Sequence, residues 1–248
     1  MSEIETKIQN MRKGGKALGK IKKELASFTK AGVSFQEIEN KAQNLIKDAG
    51  FKPSFSTVKG YSWATCIMKN DELCHGIPEG KVVDDGDLMT IDVGLMSGGY
   101  HLDTTISFSV GKIPGDVEKF LSDGKNILKK AIKKAKLGQS VYDVSSVMES
   151  ELNKKGYSAV YQLIGHGIGK ELHMKPDIPC VTYNHLKRDK FSEGQTVAIE
   201  VMYTMGKPEL IEDSDGWTYK TADGSLSAMF EETVLITKKG PEVLTKSS

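Results

Sequence analysis

The feature that most constrains this chain is an internal repetition. An ungapped shift of 106 residues superposes Lys30 on Lys136, Gly32 on Gly138, Ser34 on Ser140 and Gly50 on Gly156. The same shift carries Glu37 onto Asp143 and Phe51 onto Tyr157. A serine followed three residues later by a carboxylate has the capping-box spacing, and a glycine closes a helix, so each copy reads as turn, helix and stop. Two such copies predict two similar halves, about 1–110 and 111–248, packed about a pseudo-two-fold axis. Gly and Ser also recur at turns by chance, so a shared helix-turn-helix grammar is the competing explanation. No linker-like Pro/Ser/Gly tract divides residues 1–248, which therefore read as a single domain.

Around this frame the periodicity supplies the elements. From Glu3 to about Thr29, Ile4, Ile8, Met11, Leu18, Ile21, Leu25 and Phe28 recur at helical intervals. The other face is basic, with seven lysines and Arg12 against three glutamates between Met1 and Lys30. A second helix runs from Ser34 towards Gly50, a third over about Val117 to Lys136, and a fourth opens at Ser140 and ends near Gly156. Leu88 to Leu95 and His101 to Val110 flank Ser97-Gly98-Gly99, the composition of a tight hairpin. Thr196 to Thr204 and Ser227 to Thr237 form a second pair, separated by a polar excursion carrying Trp217. Helices and antiparallel strands in blocks argue for an α+β fold, a sheet with helices on one face.

Composition removes several function classes. A net charge of +1 gives no strong field towards nucleic acid. Met1 to Lys16 lacks the apolar core of a signal peptide, and no run of about 18 apolar residues occurs, so a cytoplasmic protein away from the membrane is expected. Cys66, Cys74 and Cys180 are odd in number and sparse, indicating neither a disulfide framework nor a CxxC zinc site.

The chemistry lies in carboxylates placed where strands avoid them. Asp92 sits inside Thr-Ile-Asp-Val-Gly and Asp103 inside the facing run. A Ser97-Gly98 turn would put Asp92 directly opposite Asp103; a Gly98-Gly99 turn keeps both on one face. Adjacent carboxylates imply either a raised pKa or a cation between them, and the cation is the more economical answer. Glu200 in Val-Ala-Ile-Glu-Val-Met and Glu231 in Met-Phe-Glu-Glu-Thr repeat the pattern on the second pair. His166, within Gly-His-Gly-Ile-Gly, is the remaining candidate ligand, whereas His101 and His185 lack such a setting and read as structural. One imidazole with four carboxylates is a hard donor set suited to two divalent ions such as Mn, Fe, Co or Mg, and paired ions suit peptide hydrolysis.

Cys74-His75-Gly76-Ile77-Pro78, Asp92, His101-Leu102-Asp103-Thr104-Thr105, Gly165-His166-Gly167-Ile168-Gly169, Glu200 and Phe230-Glu231 together resemble the type I methionine aminopeptidases, in order and spacing over nearly the whole chain. The resemblance implies the pita-bread fold, two related halves around a curved antiparallel sheet with helices outside. It implies removal of the initiator methionine from nascent proteins by two divalent ions (Co, Mn, Fe, Zn or Mg). The ions would be held by Asp92, Asp103, His166, Glu200 and Glu231, with Asp103 and Glu231 bridging. It also makes Glu200 the proton shuttle, has His75 and His173 contact substrate, and lines the methionine pocket with Tyr61, Cys66 and Trp217. Four positions depart from the family pattern: Val201 replaces a common proline, Glu232 a usual histidine, and Met174-Lys175 common acidic residues. Period two turns Val201 and Glu232 away from the ligand face.

Two competing readings share the scaffold. A Xaa-Pro aminopeptidase or prolidase would use the same five ligands on a longer chain, and a non-catalytic pita-bread binding protein would have lost its metals. The basic first helix and Lys125 to Lys136 further suggest docking on ribosomal RNA, against the plainer reading of solvated lysine faces. A monomer is expected.

Overall fold

A computed structural model describes residues 2–247. The chain runs first through α1 (Glu3–Phe28), α2 (Phe35–Asp48), β1 (Lys52–Pro53), β2 (Thr65–Lys69), β3 (Glu72–Cys74), β4 (Leu88–Ser97) and β5 (Tyr100–Ser109). It continues through α3 (Gly115–Ile132), α4 (Val141–Lys154), β6 (Ser158–Ala159), β7 (Ile164–Gly167), β8 (Met174–Pro179) and β9 (Thr196–Thr204). The short β10 (Leu210–Glu212) and β11 (Tyr219–Thr221) precede β12 (Ser227–Thr237) and β13 (Gly240–Val243).

The repetition has a structural counterpart at each helix start. Ser34 and Glu37 close a capping box at α2, as Ser140 and Asp143 do at α4. Isolated bridges join Ser34 to Val82 and Ser140 to Lys190, and the Gly32 and Gly138 amides donate to the carbonyls of Val83 at 2.8 Å and Phe191 at 2.9 Å. The sheets follow the same plan. β4 pairs with β5 on one edge and with β1 and β2 on the other, while β9 pairs with β12 on one edge and with β6 and β7 on the other. α1 lies on β4 and β5, and α3 on β9 and β12, so apolar helix stripes cover one side of the curved sheet.

Where β5 meets β12, no backbone-to-backbone hydrogen bond joins the two strands among the described residues. Hydroxyls bridge the seam instead. Ser107 Oγ donates to the Met229 carbonyl at 2.8 Å and accepts from its amide at 2.9 Å. Thr233 Oγ1 does the same to Asp103, at 2.7 and 3.0 Å. Ser107 is thus to Met229 as Thr233 is to Asp103, the reciprocity expected across a local two-fold.

The structure decides one alternative the sequence left open and corrects one expectation. The first hairpin turns at Gly98-Gly99, so Ser97 pairs with Tyr100 and Asp92 lies opposite Thr105, not opposite Asp103. Both glycines have positive φ, 59° and 83°, as a two-residue type I′ turn demands, and Ser97 stays in the strand because its hydroxyl donates to the Asn10 carbonyl at 2.8 Å. Asp92 and Asp103 nevertheless share a face, since Thr105 is two residues from Asp103. The correction concerns the basic face of the first helix, which does not include Lys22. That residue is 3% exposed, and its Nζ donates to Glu232 Oε1 at 2.8 Å and to Thr104 Oγ1 at 2.7 Å.

Candidate metal centre

All five proposed ligands reach one cavity of about 200 Å³ at the middle of the curved sheet. Asp92 comes from β4, Asp103 from β5, His166 from β7, Glu200 from β9 and Glu231 from β12. Glu200 and Glu231 are directly paired across the second hairpin. One ligand atom from each of Asp103, His166 and Glu231 lies within 4.8 Å of the others, and His166 Nε2 is 3.9 Å from Glu200 Oε1. The halves of the chain thus bring carboxylates face to face across the hydroxyl-bridged seam.

Local chain geometry explains the glycines around these groups. A Cβ on Gly167 would sit 2.2 Å from the Lys175 carbonyl oxygen, so β8 can lie against β7 only if that side chain is absent. His75 adopts φ 56°, the left-handed region a non-glycine residue occupies at some cost, and a Cβ on the following Gly76 would meet the Ile67 carbonyl at 2.3 Å. The Cys-His-Gly run is therefore a forced bend that aims His75 at the cavity.

The electrostatics are those of a site made for positive charge. Burial pushes Asp92 up to about 6, and Asp103, Glu200 and Glu231 rise well above the ordinary carboxyl range, through burial first and the charge of Asp92 second. Thr105 Oγ1 lies 2.8 Å from both Asp92 Oδ1 and Glu231 Oε2. A hydroxyl has one proton to donate, so one of these contacts needs a proton on the carboxyl or a cation beside it. Asp103 Oδ1 is buried without any hydrogen-bond partner. Burial lowers His166 to about 4, and its Nδ1 lies 2.9 Å from the Gly167 carbonyl. That carbonyl can only accept, so the proton sits on Nδ1 and the Nε2 lone pair faces Glu200, the tautomer a ligating imidazole requires. An orphaned carboxylate oxygen, a neutral imidazole and a hard oxygen-rich donor set fit divalent cations.

The other proposed residues surround this centre. His173 stands at the exposed rim with its ring 4.5 Å from that of His166, and burial lowers the pKa of both His75 and His173. A second cavity of about 110 Å³ adjoins the first, sharing His75, Asp92, Asp103 and His173, and Tyr61, Cys66 and Trp217 line it. Tyr61 and Trp217 meet edge to face at 5.0 Å, and burial pushes the Cys66 thiol up, leaving a neutral wall. Sequence reasoning missed Phe55, Val58 and Leu172, which complete that lining. Nothing in their context separates them from ordinary core. It also missed Thr105, for which a signal existed: period two puts it on the face of Asp103. His101 lies outside both cavities, its Nδ1 2.6 Å from Ser54 Oγ, and His185 stacks on Tyr183. Both are in keeping with structural roles.

The sequence pattern of metallopeptidase family M24 matches residues 9–238. The chain belongs to that family. Within M24 it is similar to a methionine aminopeptidase from Aquifex aeolicus, 37% identical over 98% of this chain and 97% of the relative. It also resembles the crystal structure of methionine aminopeptidase from Thermotoga maritima, with a TM-score of 0.94 and 34% identity, covering 97% of each chain. A prolidase from Pyrococcus horikoshii shares the fold at a TM-score of 0.78 and 25% identity, but this chain spans 63% of its length. M24 enzymes are metallopeptidases that use divalent metal, and Asp103, His166 and Glu231 of this cavity form a group able to hold such an ion.

Proposed function

We propose that this chain removes the initiator methionine from proteins by hydrolysing the first peptide bond. One observation carries the reading: five side chains able to ligate line a single cavity, and it adjoins an aromatic and sulfur-lined pocket suited to a thioether. Asp92, Asp103, His166, Glu200 and Glu231 would hold two divalent ions. When bound, the ions supply Lewis-acid polarisation of the scissile carbonyl and a fixed positive field for the charge that develops on it. Glu200, at the cavity wall, takes the proton of the attacking water and returns it to the departing amine. His75 and His173 flank the junction of the two cavities, where their ring N–H groups reach the substrate carbonyl and steady the tetrahedral intermediate. Tyr61, Cys66 and Trp217 take up the methionine side chain. Residues 1–248 act as one catalytic domain of two related halves.

The test is incubation of metal-loaded protein with Met-Ala-Ser and with Gly-Pro peptides. Methionine release alone is expected. Cleavage only of the proline peptide would replace this reading with a prolidase-like one, and silence with Co, Mn, Fe, Zn and Mg alike would leave a binding scaffold.

Among the described residues no helix is long and apolar enough to cross a membrane. We place the enzyme in the cytoplasm as a monomer acting on nascent chains. Docking on the ribosome would use the lysine-rich stretch of α3 and the exposed lysines of α1, Lys16 and Lys20 among them. Salt-sensitive cosedimentation with ribosomes, lost on charge reversal at those positions, checks this; Lys22 is unsuitable for such a test because it is buried.

A further inference from the structure

Lys22 is charged, 3% exposed and far in sequence from the groups it holds. Its Nζ donates to Glu232 Oε1 at 2.8 Å and to Thr104 Oγ1 at 2.7 Å. Thr104 Oγ1 in turn donates to the Glu231 carbonyl at 2.8 Å. The other oxygen of Glu232 accepts from Thr245 Oγ1 at 2.5 Å, in the segment that crosses α1 where Gly15 and Gly19 leave room for its backbone. Period two places this group behind the candidate metal centre: Asp103 and Glu231 line the cavity, while Thr104 and Glu232, their strand neighbours, face α1.

Stability is a poor explanation for such an arrangement. Burying the Lys22 ammonium against a partly buried carboxylate costs about as much as their attraction returns, and apolar replacement of such pairs is often neutral or better. What the pair does possess is position. It grips β5 beside Asp103 and β12 beside Glu231, at a seam that no backbone ladder holds.

We propose that Lys22 is a positioning residue for the metal centre: with Glu232 and Thr104 it clasps β5 to β12 and fixes the spacing between Asp103 and Glu231. The clasp rests on the reading that these carboxylates are the ligands. Cation affinity then depends on a side chain that touches neither ion nor substrate, and that sits opposite the Glu232 departure from the family pattern.

The test titrates the chelator-stripped full chain with Mn²⁺ alone by calorimetry, at a temperature where circular dichroism shows each variant folded. Lys22→Met and the near-isosteric Thr104→Val each weaken Mn²⁺ binding by about tenfold, the usual scale for an outer partner of a metal ligand. The double variant Lys22→Met/Glu232→Leu regains thermal stability but not affinity. Asp103→Asn serves as the ligand control and abolishes tight binding. Affinities within about twofold of the parent in Lys22→Met and Thr104→Val, with Asp103→Asn dead, would overturn the clasp while leaving the ligand set intact. Recovery of affinity along with stability in the double variant would also overturn it. Parent-like binding by Asp103→Asn would instead remove the ligand set, and the clasp with it.

Discussion

A carboxyl group in the interior of a strand must be answered by a proton, a donor or a cation, and here four such groups share one cavity. That demand made Asp92, Asp103, Glu200 and Glu231 legible, because each interrupts an apolar run. Phe55, Val58 and Leu172 were illegible for the opposite reason: an apolar residue lining a pocket has the same sequence context as one filling a core. Lys22 was legible in principle, being four residues after Leu18 and three before Leu25 on the apolar stripe, but a lysine among many lysines reads as solvated. Replacing Glu200 by Gln keeps the size of the side chain and removes the proposed proton acceptor. The kcat for methionine release should fall by about 10²–10⁴, and stopped assays on Met-Ala-Ser measure it.

Helix starts were read nearly to the residue, since a capping box is a local signature that needs no tertiary information: Ser34 and Ser140 both cap where their spacing indicates. The hairpin register was not fixed by the sequence, because Ser97-Gly98-Gly99 offers two possible turns. The Ser97 hydroxyl chooses between them by bonding to Asn10, a contact from the first helix that no local pattern reveals. Substitutions at the turn should therefore differ. Ala at Gly99, with open space around its Cβ, pays only for the left-handed backbone, about 1–2 kcal/mol, or a Tm lower by about 2–8 °C. Ala at Gly98 meets Asn10 at 2.3 Å as well and should lower the Tm further. Thermal melts of the two variants compare them; equal losses would contradict the Asn10 contact.

For the molecule as a whole, the cavity makes metal and pH act on stability together. The folded pKa of Asp92, about 6, lies above its ordinary 3.8, and its three neighbours are also raised. A raised carboxyl means that the folded state holds protons the unfolded chain has released. That stabilising effect is complete below the unfolded pKa and is lost as pH climbs through the folded value. Chelator-stripped protein should therefore melt at lower temperature as pH rises from about 5 to about 7, and Mn²⁺ should add more to the midpoint at the upper end. A midpoint independent of pH across that interval would refute the raised carboxyls.

The seam where β5 meets β12 has one more implication. Two parts of the chain that no amide ladder connects, yet that face each other with acids, are neighbours a coordinated ion would rivet together. Loading should therefore slow deuterium uptake on both strands in concert. Metal would then be part of the architecture as well as the chemistry, and a starved enzyme would be slack along its midline before it unfolds anywhere else.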